Sequence, residues 1–316
     1  MFEKLDMAPA DPILGLSAAF KSDSNPQKIN LGVGVYQDSS GKTPILESVK
    51  EAEKRILAHA TSKTYLAIEG APEYASAVQS LLLGSDHEIR TTSRAVTVQS
   101  PGGTGALRIA GDFLQRHYPG AKIWLSQPTW ANHPKIFAAA GLAVQSYAYF
   151  DAATNSLDFA ALLASLRAIP AGDIALLHGC CHNPTGVDPT PEQWVQIADI
   201  AAECGLLPLV DFAYQGLGAG LTEDAAGLLA LCRPGQELLV ASSFSKNFGL
   251  YQERIGALTL VAKDADAAAR ALSHLKIAVR TSYSNPPAHG SAIVSEILSD
   301  AALRARREDL IYLNLT

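Results

Sequence analysis

The sequence predicts an α/β protein, a mainly parallel sheet covered by helices on both faces. Three observations predict it. A chain of 316 residues, 48% hydrophobic and 18% charged, is large enough to bury a sizeable core. From about residue 94, short apolar runs alternate with helical patterns, and strands interleaved with helices pair in parallel. Polar and glycine-rich segments follow several of these runs, at the carboxyl ends where a parallel sheet collects its ligands.

The elements follow in order. Ala95-Val96-Thr97-Val98 reads as a strand and Gly103 to His117 as a helix. Lys122-Ile123-Trp124-Leu125 is a strand, Pro134 to Ala140 a short helix, Val144 to Phe150 a strand and Phe159 to Ala168 a helix. Ile174 to His178 is a strand, Pro191 to Cys204 a helix, and Leu206 to Val210 a strand. Leu238 to Ala241 and Ile255 to Val261 complete the set, and this last pair reads as a non-parallel return. Two helices follow, Ala265 to Arg280 and Gly290 to about Leu310. The first 40 or so residues, from Asp11-Pro12-Ile13-Leu14 through Asn30 to Tyr36, read as an arm, a short helix and a strand or loop. That segment cannot bury itself alone.

A formal charge of −6 without a lysine or arginine block argues against nucleic-acid and anionic-membrane partners. No stretch is apolar enough to span a bilayer, and Met1 to Asp6 lacks the start of a signal peptide, so the expected compartment is the cytoplasm. Cys180, Cys181, Cys204 and Cys232 show no metal-ligand spacing and read as reduced, mostly buried thiols. Cys180 and Cys181, taken as strand neighbours, are expected to point to opposite faces.

The most informative stretch is Ser243-Phe244-Ser245-Lys246-Asn247-Phe248-Gly249, with Arg254 eight residues past the lysine. The run before it, Leu238 to Ser242, is a buried strand, so Lys246 arrives at the rim of the sheet. The hydroxyls of Ser243 and Ser245 and the guanidinium of Arg254 suit a phosphate beside it. With no nucleotide fingerprint in the chain, this suggests a Schiff-base lysine for pyridoxal phosphate. The same motif fits a surface lysine in a polar loop, so the reading needs partners elsewhere.

Four further segments lie at strand ends. Ser100 to Gly105 would either offer backbone N–H groups and a helix N-terminus to a phosphate or simply close a loop. In His178-Gly179-Cys180-Cys181-His182-Asn183-Pro184-Thr185-Gly186, Asn183 either donates to a ring oxygen or belongs to a turn. The two histidines, with no carboxylate to complete a set, read as satisfied support rather than metal ligands. Asp211, ending a very apolar strand, is costly to bury without a positive partner. A protonated pyridine nitrogen would be such a partner, and a helix cap is the plain alternative. Tyr214 reaches either a phenolic ring oxygen or the edge of the core. Trp130 stacks on a planar ring or packs, and His133 supports Asp211 or packs.

In this order the segments resemble the class I aspartate and aromatic amino-acid aminotransferases, from Asp11 to about Asp309. The resemblance is carried by Ser243 to Tyr251 with Glu253-Arg254-Ile255-Gly256, by His182 to Gly186, by Asp211 to Gly216, and by Tyr283 to Gly290. It implies the fold-type I architecture of pyridoxal-phosphate transferases, with an incomplete small domain. It implies that Lys246 carries the cofactor and moves the proton, that Asp211 pairs its nitrogen, and that Tyr214 and Asn183 contact its ring oxygen. Trp130 would stack on the ring, and Gly103, Thr104, Ser243, Ser245 and Arg254 would surround the phosphate. A homodimer with shared sites is implied, in which Tyr65 reaches the neighbouring phosphate and Arg280 clamps a substrate's side-chain carboxylate. Gly34 would lie near the α-carboxylate.

The implied domains are an arm with part of the small domain over 1–40, a large cofactor domain over 41–300, and the start of a long helix over 301–316. Family members run longer, so the remaining small domain and its carboxylate-binding arginine are expected to be missing. The expected reaction is ping-pong transfer of the amino group of L-aspartate or an aromatic L-amino acid to 2-oxoglutarate. A β-lyase, a decarboxylase, or a cofactor-binding remnant without turnover stands as the alternative.

Overall fold

The computed structural model describes residues 2–7, 14–29, 34–37 and 41–306. The chain divides into two compact units, Met1–Pro44 and Ile45–Thr316. In the first, a short turn of 3-10 helix spans Phe2–Lys4 and α1 spans Leu14–Ser22. The Lys28 ammonium donates to the carbonyls of Phe20 (2.7 Å) and Asp23 (2.6 Å), satisfying acceptors at the helix C-terminus. Of the strand or loop expected over Asn30 to Tyr36, residues 30–33 lie outside the described residues, and 34–36 carry no regular structure.

The second unit opens with α2 (Glu47–His59), α3 (Pro72–Leu83) and α4 (Glu88–Thr91), in a stretch to which the sequence pattern assigned no element. The alternation then runs β1 (Ala95–Pro101), α5 (Gly102–His117), β2 (Lys122–Gln127), α6 (His133–Ala139) and β3 (Ala143–Ala148). It continues with a small hairpin of β4 (Phe150–Asp151) and β5 (Ser156–Leu157), then α7 (Phe159–Arg167), β6 (Ile174–His178) and α8 (Pro191–Glu203). After β7 (Leu207–Phe212) come α9 (Ala226–Leu231), β8 (Leu238–Ser243), β9 (Ile255–Val261), α10 (Ala265–Ser282) and α11 (Ala288–Ser299).

Seven strands form one sheet in the order β1-β9-β8-β7-β6-β2-β3. Only β9 runs against its neighbours, antiparallel to both β1 and β8, so the expected non-parallel return is present and lies inside the sheet. Successive residues of the central strands enter opposite cores. Leu238 and Val240 join the core under α2, α3, α7, α8, α9 and α11, whereas Leu239 and Ala241 join the core under α5, α6 and α10. This is the period-two consequence of a strand covered on both sides.

Three expectations are corrected. The strand expected over Val144 to Phe150 ends at Ala148, and Phe150 turns into the small hairpin, where it pairs with Leu157. The continuous helix expected from Gly290 to Leu310 breaks at Asp300, whose backbone is extended. There the Asp300 carboxylate accepts from the N–H groups of Ala302 (2.8 Å) and Leu303 (3.0 Å), capping a fresh helical stretch over 301–306. It also pairs with Arg55 on α2 at 2.8 Å, so the break is pinned to a neighbouring helix. Residues 307–310 lie outside the described residues. Cys180 and Cys181 follow β6 rather than continuing it, and Cys181 takes the left-handed conformation (φ 49°), so strand alternation does not govern them.

Candidate active site

The carboxyl ends of β1, β2, β6, β7 and β8 share one rim. Because β9 is reversed, its amino end meets that same rim. Arg254, just before β9, therefore stands beside Gly102 at the start of α5, close enough that a Cβ on Gly102 would collide with the guanidinium. Gly256 is equally confined, since a Cβ there would lie 2.7 Å from the carbonyl oxygens of Gly102 and Ser242. Arg254 itself adopts φ 52°, a left-handed conformation that a non-glycine residue holds only when its surroundings enforce it.

These constraints build an anion cradle. α5 begins without a side-chain cap, leaving its first N–H groups at Gly103 and Thr104 to other partners. A Cβ at Gly103 would come within 3.0 Å of Ser243 Cβ, so the helix start and the end of β8 are in contact. Arg254 donates to Ser245 Oγ at 3.3 Å and to the Tyr251 carbonyl at 3.1 Å. Helix N-terminus, two buried serines and a guanidinium together match a phosphate.

Lys246 follows β8 and Asp211 lies near the end of the adjacent β7. Lys246 Nζ sits 5.4 Å from the centre of the Tyr214 ring. Burial lowers the Lys246 pKa below the ordinary amine value and Arg254 adds to this, while Asp211 partly opposes it. Burial would raise the Asp211 pKa, but the hydrogen bond from His133, with smaller effects from its other neighbours, outweighs it and leaves the carboxyl below its usual value. Tyr214 is shifted upward by burial and by Asp211, and its hydroxyl accepts from Asn183 Nδ2 at 3.4 Å. Trp130, after β2, meets the His133 ring edge-on at 5.2 Å.

Behind Asp211 runs a polarised chain. The Asn183 N–H can only donate, and it faces His178 Nδ1 at 3.5 Å. His178 Nε2–H then donates to Thr129 Oγ1 (3.1 Å), Thr129 donates to His133 Nδ1 (2.8 Å), and His133 Nε2–H donates to Asp211 Oδ2 (2.8 Å). The predicted support of Asp211 by His133 is present, and the sequence reading missed that Thr129 and His178 extend it to the Asn183 loop. It also missed Asp188, whose carboxylate accepts from the N–H groups of Cys181 (2.6 Å) and His182 (2.8 Å). An aspartate directly before Pro189 was a turn signal available in the sequence.

His182 is held by Ser126 (2.9 Å) and Thr185 (2.8 Å) and stacks on Tyr149 at 4.0 Å. Burial and neighbouring histidines push His178 down to about 3 and His182 down to about 4. In the unfolded chain both titrate near 6.5, so below that pH the unfolded state binds more protons. Stability therefore falls as pH drops from 6.5 toward 4, by about 1.4 kcal/mol per pH unit for each histidine, and this contribution levels off below about pH 3. Urea midpoints measured across this window should show the slope, and His182→Gln should flatten it by one histidine's share.

Two predicted residues of the second unit stay outside this cluster. Tyr65 is 92% exposed. Arg280, in the last turn of α10, is exposed and donates to Ser284 (2.5 Å) and Asn285 (3.1 Å). The predicted Gly34 belongs to the amino-terminal unit. Among the described residues no group of three His, Cys, Asp or Glu could hold a metal, and no helix is long and apolar enough to cross a membrane.

The architecture is that of the fold-type I pyridoxal-phosphate transferases. The family model described as aminotransferase class I and II matches residues 26–312. An aspartate aminotransferase of Salmonella typhi is 58% identical over 305 residues, which span 96% of this chain and 77% of the relative. A tyrosine aminotransferase of Klebsiella pneumoniae is 46% identical over 96% of this chain and 77% of its own length. The crystal structure of an aromatic amino-acid aminotransferase from Burkholderia pseudomallei, covalently bound to pyridoxal phosphate, superposes with a TM-score of 0.97 at 45% identity, over 100% of this chain and 79% of that one. The chain belongs to the class I and II aminotransferases, in their aspartate and aromatic amino-acid branch.

Proposed function

We propose that this chain transfers the amino group of L-aspartate or an aromatic L-amino acid to 2-oxoglutarate with pyridoxal 5′-phosphate as cofactor. The observation that carries the reading is the convergence of Lys246, Asp211 and the anion cradle on one rim of the sheet. The cradle fits a phosphate, and Asp211, held ionised by His133, suits a protonated ring nitrogen. When bound, pyridoxal phosphate supplies an aldehyde that accepts amino groups and a ring that withdraws electrons from the substrate Cα.

The chain's own residues do the rest. Gly103, Thr104, Ser243, Ser245 and Arg254 would hold the phosphate. Trp130 would pack against the ring, and Asn183 with Tyr214 would steady its oxygen. Asp211 would keep the ring nitrogen protonated. Lys246 would lie beside the aldehyde carbon and would move the Cα proton as a neutral amine, a form favoured by its burial and by Arg254. A homodimer is part of the proposal. It is supported by the full exposure of Tyr65 and by the surface position of Arg280, which suit contacts across a shared site. Four free thiols favour a reducing compartment, the cytoplasm.

Arg254→Ala should weaken binding of pyridoxal phosphate by roughly 10–100-fold, the range for losing hydrogen bonds to a charged group. Arg254→Lys should recover only part, because an ammonium lacks the fork. Absorbance titration of the cofactor reads both. The reaction itself is tested with aspartate, tyrosine or phenylalanine and 2-oxoglutarate, measuring oxo acid and glutamate formed together. Ammonia or carbon dioxide as product, or cofactor binding with no oxo acid, overturns transamination.

A further inference from the structure

We infer that Asp188 is a positioning residue, whose carboxylate holds the turn over 181–186 so that Asn183 faces Tyr214 and the cofactor's ring oxygen; the contact to the cofactor rests on the function proposed above. Asp188 accepts from the backbone N–H groups of Cys181 (2.6 Å) and His182 (2.8 Å), which immediately precede Asn183. Both bonds are short and have an ionised acceptor, the stronger kind. The ties that Asn183 makes itself are long. Its Nδ2 lies 3.4 Å from the Tyr214 hydroxyl, and its backbone N–H lies 3.5 Å from His178 Nδ1. The carboxylate, more than Asn183 itself, therefore sets where the amide sits.

The backbone needs such a holder. Cys181 takes φ 49°, a left-handed conformation that is costly for a residue with a Cβ. Asp188 spends one oxygen on each N–H, Oδ2 on Cys181 and Oδ1 on His182. The base of the clamp is anchored in turn. The Val187 carbonyl accepts from the Tyr149 hydroxyl at 2.7 Å, and Pro189 is buried. A plainer role for Asp188 would be to cap α8. Thr190 does that, in a capping box with Gln193, which leaves Asp188 to the turn. Asparagine at this position would keep the shape but offer one acceptor, and its amide N–H groups would face the second backbone donor. Asp188 is exposed and the replacement nearly isosteric, so the variant is expected to fold.

Two readouts test this on the full chain. Without cofactor, hydrogen exchange at the Cys181 and His182 amides should quicken roughly 10–100-fold in Asp188→Asn, the range for losing a hydrogen bond to a charged group. The side-chain amide resonance of Asn183 should move in the same variant. The second readout adds pyridoxal phosphate and follows the pH midpoint of its absorbance. A donor to the ring oxygen favours the deprotonated form, so Asn183→Ala should raise the midpoint. Asp188→Asn should raise it less, and should add nothing in the Asn183→Ala background, a coupling that general loosening would not produce. An unmoved Asn183 resonance, an unchanged midpoint in Asp188→Asn, or a shift that persists in full in the double variant overturns the positioning role. A wild-type chain that gives no cofactor spectrum overturns the proposed function instead, and the cofactor-free readout then decides the role of Asp188 by itself.

Discussion

Replacing Lys246 by alanine should abolish multiple turnover, with a loss of about 10⁴-fold or more, the upper range for a positioned acid–base group. The argument is local. Lys246 arrives from a fully buried strand, over the Tyr214 ring, and its environment favours the neutral amine. No other amine is placed beside Asp211 by the described contacts. The cradle does not involve Lys246, so the variant should still bind pyridoxal phosphate. Stopped-flow absorbance with aspartate separates the two expectations: the cofactor remains bound, and proton movement at the substrate Cα fails. Added small amines should restore part of the rate if the lost function is proton transfer, whereas a purely structural role would leave them without effect.

Asp211→Asn should cost about 10²–10³-fold in kcat, the scale for removing one preorganised electrostatic contact. The carboxylate is kept ionised against burial by His133, which receives its own orientation through Thr129 and His178. An amide preserves the shape and removes the charge. Asp211→Glu should retain more activity, since it keeps the charge and misplaces it. His133→Asn should fall between wild type and Asp211→Asn, with a changed pH profile, because it leaves the carboxylate without its buried partner. Steady-state kinetics across pH for the three variants would rank them. Equal activity of Asp211→Asn and wild type would sink the assignment.

The fold was legible where apolar runs were unambiguous. Ile174–His178 and Ile255–Val261 are strands over the limits their composition suggests. The rim residues were legible because each follows such a run. What the sequence concealed is contact between distant segments. Nothing local indicates that Thr129 joins two histidines: Thr129 and His133 follow β2, whereas His178 ends β6, and the two segments meet only through β2 and β6 pairing. The helix break at Asp300 was hidden for the same reason, as its partner Arg55 lies on α2. The Cys180–Cys181 geometry was misread because period-two alternation was carried past the point where β6 stops. Helices α2 and α3 were readable, α2 from its Glu, Lys, Ala and Leu and α3 from the proline that opens it, and burial of residues such as Val49, Tyr74 and Val78 holds them.

The reversed strand has a consequence for how the protein matures. β9 is inserted between β1 and β8, so Ala95 finds Val261 only after almost everything between them has been made. Such distant pairing is slow to form. Arg254 reaches the start of α5 only when that insertion is done. Affinity for a simple oxyanion is thus a late-acquired property, and it offers a way to time the closing of the sheet during refolding.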